Sequence, residues 1–145
     1  MDFPLMRPIL VTAPSVILAA FLVFMGIQKF VGDVPIFSII EANVSDQTGL
    51  TLAFIEPFGR YLTGALEFLA AILLVARRFW GGLLATLVSA GAVAAHLTFL
   101  GISTPESSTP GAAESPALFI MALGALVLSG LVTYLARPRP APTEA

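Results

Sequence analysis

The chain of 145 residues has no cysteine. That one absence removes disulfides, thiol relays, iron–sulfur clusters, thiolate metal sites and covalently attached haem. There is a single histidine, His96, so a bis-histidine haem within one copy is excluded, and one imidazole with scattered carboxylates falls short of a metal-ligand set. No metal is expected. Charge is scarce too, at 11% of residues where an ordinary soluble domain carries about 25%. The basic residues number 7 against 9 acidic ones, for a net charge of -2, and nothing resembles the basic footprint of a nucleic-acid binder. A glycine-rich phosphate cradle and a nucleophile–base spacing are also missing, so a self-sufficient enzyme is not expected.

What fills the chain instead is apolar, with 57% hydrophobic residues and a mean hydropathy of +0.94. The hydrophobic residues fall in four long runs, and a bilayer core needs about 20 apolar residues per helical crossing. The expected fold is an all-α integral membrane four-helix bundle forming one domain over 1–145, with helices at about 9–30, 57–76, 79–102 and 117–136. The alternative for the first run, a secretory signal peptide, lacks an A-x-A cleavage site and is shorter than this run. Residues 31–56 are too greasy for a free linker; they read as an outer loop with a short helix or re-entrant piece, turning at Asn43–Gly49. Residues 137–145 read as a proline-rich, disordered tail. Arg7, Arg77, Arg78, Arg137 and Arg139 fall on one side of the four crossings, with Lys29 and Arg60 on the other. The positive-inside rule then makes both termini cytoplasmic in a multi-pass cell-membrane protein, the bacterial inner membrane being the expected one. Small residues, such as Gly64 and Ala71 in the second run and Gly81, Gly82, Ala85, Ser89, Ala90 and Ala94 in the third, provide for close helix contact.

Four polar residues stand out against this background. Glu67 lies near the middle of an apolar run, where an ionisable residue costs about 2.5–3.5 kcal/mol on insertion scales. At 1.5 Å per residue it sits about 14 Å deep, and His96 about 9 Å below the same outer surface. Lys29 ends the first run and Arg60 opens the second, Arg60 sharing a face with Thr63, Gly64 and Glu67. Together they make a candidate polar pocket of Lys29, Arg60, Glu67 and His96 in the outer half of the membrane, with Glu56 and Arg60 spaced to pair at its mouth. Such a pocket passes protons or hydrogen-bonds the carbonyls of a quinone. The blander readings are a protonated or interhelically bonded glutamate, a histidine bonded to a carbonyl, and Lys29 and Arg60 snorkelling as interface anchors.

These residues carry a resemblance. The segment Phe21–Phe30 (FLVFMGIQKF), the Leu66-Glu67 pair within Leu62–Leu74, and a third helix that ends in His96 resemble the DoxX-like family of small four-helix membrane proteins, over roughly residues 15–100. The resemblance implies a subunit of a membrane oxidoreductase or electron-transfer assembly, as in thiosulfate:quinone oxidoreductase with its DoxX-type and DoxD-type subunits. By that likeness Lys29, Glu67 and His96 are the positions to test; the cofactor stays unknown, with quinone a candidate, and the expected partners are the lipid bilayer and other membrane subunits or a second copy. Two other readings stay open: a non-catalytic accessory subunit of a larger respiratory or photosynthetic complex, and a small-solute or lipid-binding membrane protein.

Overall fold

The computed structural model describes residues 6–138. Within them the chain forms helices α1 (Met6–Val31), α2 (Ile36–Thr48), α3 (Arg60–Ala76), α4 (Arg78–Ala95) and α5 (Ala117–Leu135), with a two-residue antiparallel ribbon between β1 (Thr104–Pro105) and β2 (Glu114–Ser115). One π-helical turn, Ile55–Gly59, leads into α3, and another, His96–Leu100, continues α4. Four helices are long and apolar enough to cross a bilayer. The chain is therefore an all-α, multi-pass membrane bundle. Most of the proline-rich tail, 139–145, lies outside the described residues.

The four crossings form a ring: α1 packs on α3, α3 on α4, α4 on α5, and α5 returns to α1 along a thinner seam. Each helix buries one narrow stripe. On α1 it is Ser15, Leu18, Ala19, Leu22, Gly26 and Lys29, and on α3 Gly64, Glu67, Ala70, Ala71 and Leu74, both at the three- and four-residue spacing of a helix face. Large apolar side chains point the other way, with Ile17, Ile72 and Val127 more than 60% exposed. In water that outer surface would be a liability; against lipid tails it is the required solvent-facing side.

Since lipid supplies no hydrophobic drive between helices, association depends on close packing. A Cβ placed on Gly81 would fall on the backbone of Leu73 and Leu74, and one on Gly82 would lie 3.0 Å from Thr133 N. These glycines let α4 touch both its neighbours. The row of small residues on α4 is not buried throughout, however: Gly81, Gly82, Ala85 and Ser89 face the bundle, whereas Ala90 and Ala94 face outward. A strict four-residue step drifts around a helix of 3.6 residues per turn, which carries the row off the contact face.

The outer connections differ from the sequence reading in three places. Asn43–Thr48 is the second half of α2 and not a turn, and the helix stops only at Gly49, with φ 70° and its N–H on Ser45 O at 2.8 Å. Asn43 favours turns when its side chain competes for nearby backbone; here Nδ2 donates to Phe99 O at 2.6 Å, so it pins α2 to the end of α4 instead. The third crossing ends at Leu100, because Gly101 takes φ 77°, a conformation that stops a helix and suits glycine. The second crossing begins at Ile55, two residues before Pro57.

Candidate functional site

Lys29, which ends the buried stripe of α1, meets Glu67 within the buried stripe of α3. Lys29 Nζ donates to both carboxylate oxygens of Glu67, at 2.8 and 2.9 Å, and the two residues are 7% and 6% exposed. The lysine therefore does not snorkel to the interface. Its stem continues the core face of α1, and a bidentate partner inside removes the need to reach water. Gly64 makes this approach feasible: a Cβ there would stand 3.2 Å from Lys29 Cβ. The two charges cancel, leaving a polar but net-neutral patch.

His96 opens the π-helical turn after α4. Its Nδ1 lies 2.8 Å from Gly101 O, and a carbonyl oxygen only accepts, so Nδ1 carries the proton. In the neutral ring Nε2 then presents a lone pair. Nε2 has no protein partner among the described residues and is not sealed off by its neighbours. The ring packs against Phe119 of α5, with centroids 5.4 Å apart.

A cavity of about 350 Å³ brings these groups together. Lys29 lines it from α1, Thr63 and Glu67 from α3, Ser89 and His96 from α4 and its π-helical continuation, and Phe37 from α2. The remaining lining is mainly aliphatic. Small-molecule sites have this character: a concave, apolar space of 300–1,000 Å³ with a few placed polar groups.

Three of the four sequence-derived candidates thus share one cavity, and the fourth does not. Arg60 stays on the outer rim, where Nε lies 3.2 Å from Glu56 Oε1, Nη2 donates to Tyr61 OH at 3.1 Å, and the guanidinium sits 4.8 Å from the Tyr61 ring centroid. Arg60 and Glu67 keep the shared face expected from their spacing of seven within α3, but Arg60 lies nearly two turns further out, where Glu56 and Tyr61 hold its side chain at the mouth. Two contributors escaped sequence reading. Ser89 was assigned to helix packing, and Gly101 went unremarked although a glycine directly after an apolar run is a helix-stop signal.

Compared with known proteins, the chain matches no family model, no curated protein and no solved structure.

Proposed function

We propose that the chain is a DoxX-like subunit of a membrane oxidoreductase or electron-transfer assembly in a bacterial inner membrane, and that its cavity takes the headgroup of a quinol. The observation that supports this best is the pairing of an open imidazole acceptor with a neutralised ion pair across a largely apolar space. Lys29 spends two of its three N–H donors on Glu67, leaving one for a ligand oxygen, and His96 Nε2 accepts from a ligand hydroxyl. The net-neutral patch gives no preference for an anion. A neutral ring with hydroxyl groups meets these demands.

The tautomer refines the expectation of a quinone carbonyl. With Nδ1–H committed to Gly101, the neutral ring has no proton to give a carbonyl at Nε2, so the reduced, hydroxyl-bearing form is the better partner. On oxidation a quinol gives up two protons and two electrons: His96 Nε2 takes the proton of the hydroxyl it faces, the Glu67 carboxylate takes that of the other hydroxyl, and both electrons pass to an oxidised redox centre in a partner subunit, since this chain offers no cysteine and only one histidine for such a centre.

The test uses the full chain in nanodiscs, with quinol binding measured by calorimetry. His96→Ala should weaken binding by about tenfold, the loss of one buried hydrogen bond. Equal binding by wild type and His96→Ala would sink the quinol reading. The small-solute or lipid-binding reading also draws support from α2 lying over the cavity, and it predicts a retained ligand that is indifferent to His96.

A further inference from the structure

A second space of about 270 Å³ lies beside the first, in the outer part of the thin seam between α1 and α5. It is lined by Phe24, Gln28 and Lys29 on one side and by Ala117, Leu118 and Met121 on the other. Five residues border both spaces: Met25, Lys29, Ile36, Leu118 and Met121. These five residues form the partition between the two spaces. Two are methionines, unbranched and readily repacked.

The second space is roofed on its aqueous side. Ser108, in the loop between β1 and β2, donates to Asp33 through both its hydroxyl and its N–H, the latter at 2.7 Å. The tie draws the β-ribbon over the α1–α2 connection, and Asp33, Thr104, Glu106 and Ser115 form the polar cover. The flank is different. Phe24 is 53% exposed on the bilayer face of α1, and Ala117 is exposed at the start of α5. An apolar seam with a polar roof and an uncovered lipid flank admits a hydrocarbon chain from the side.

We infer that the α1–α5 seam is a lateral portal from the outer leaflet, with Met25 and Met121 as its partition, so that the ligand is a single-chain lipid whose neutral hydroxyl headgroup lies between Glu67–Lys29 and His96 and whose chain leaves through the seam. For the headgroup this rests on the quinol reading; for the chain it rests on the two adjoining spaces alone. The net-neutral ion pair disfavours fatty acids and phosphate headgroups, and the narrow seam holds one chain.

Tetramethylhydroquinone and a decyl-tailed quinol are compared in nanodiscs, with concentrations expressed within the bilayer so that partitioning does not count as affinity. Wild type should bind the tailed ligand about tenfold more tightly or better, from methylenes buried in the seam. Ala117→Trp, at a residue that lines the seam and not the first cavity, should bring the two ligands within about twofold of each other by filling the seam, while tetramethylhydroquinone keeps its wild-type affinity. Met25→Ala/Met121→Ala, which opens the partition, should accelerate association of the tailed ligand more than that of tetramethylhydroquinone; equal acceleration of both would count against the portal. Equal binding of the two ligands by wild type, or equal losses for both in the tryptophan variant, overturns the portal and leaves the quinol site standing. If neither quinol binds wild type, the quinol reading fails, and native mass spectrometry decides the portal separately. A single-chain neutral lipid retained by wild type and lost from the tryptophan variant supports it, and no retained lipid overturns it.

Discussion

A lysine and a glutamate buried together are tolerable only as a pair. Removing either partner leaves an uncompensated charge at membrane depth, so Lys29→Met or Glu67→Leu alone should destabilise the fold by about 3–5 kcal/mol, while the double substitution should return to within about 1 kcal/mol of wild type. Unfolding in mixed micelles measures both, and additive losses would show that the pair is not coupled. The orientation of His96 depends equally on one neighbour, Gly101, whose φ of 77° brings its carbonyl to Nδ1. Gly101→Ala strains that backbone and frees the ring; on the quinol reading, binding should weaken about as much as by His96→Ala, with a stability cost of about 1–3 kcal/mol from the strained backbone. How legible these residues were follows from their surroundings. Glu67 stands out in any hydropathy plot, and Lys29 lies on the stripe begun by Ser15 and Leu18, which points inward. Lysines at helix ends so often snorkel that the stripe was outweighed. A carbonyl partner for His96 was among the sequence readings and is what Nδ1 finds; that the carbonyl is Gly101's was not legible, because it is brought there by a π-helical turn that leaves no mark in the residue pattern.

Among the elements, α4 holds the bundle together through its glycines. Gly81→Ala puts a methyl group on the α3 backbone at Leu73 and Leu74, which flexible side chains cannot relieve, and should cost about 1–3 kcal/mol in the same micelle assay; an unchanged midpoint would mean that the two helices can separate there. The β-ribbon is tethered by Asp33, whose carboxyl is held below the usual carboxylate range by the hydrogen bonds from Ser108. A lowered native value means that the tie is fully present above the ordinary aspartate value and is lost as pH falls through the lowered one. The protection factor of the Ser108 amide, its exchange relative to an unfolded amide at the same pH, should therefore hold at neutral and mildly acidic pH and fall only in stronger acid, and Asp33→Asn should remove that fall. The four crossings were legible from length and apolarity alone. The second half of α2 was not, since Asn43, Ser45 and Asp46 read as turn residues until Asn43 is seen engaged with Phe99 O, 56 positions away.

At the scale of the whole molecule, both the polar cavity and its roof lie at one end of the ring, and Arg77 and Arg78 lie at the other, between α3 and α4. The positive-inside rule assigns the arginine end to the cytoplasm. A chain without cysteine is convenient here, because any introduced thiol is the sole target. In intact cells Ser107→Cys should react with an impermeant maleimide and Ala76→Cys should not; the reverse pattern would invert the topology.

The Lys29–Glu67 bond also bears on how the protein is made. Its partners are 38 residues apart and belong to the first two crossings, so each leaves the ribosome before the bond exists. α1 carries an unmatched positive charge until α3 arrives with the negative one. Inserted as a hairpin, the two helices are electrically neutral from the moment they meet; inserted singly, each displays an ionic group to lipid. A chain whose first two helices have not yet joined thus still exposes an unpaired ionic group to lipid, and one whose helices have joined does not.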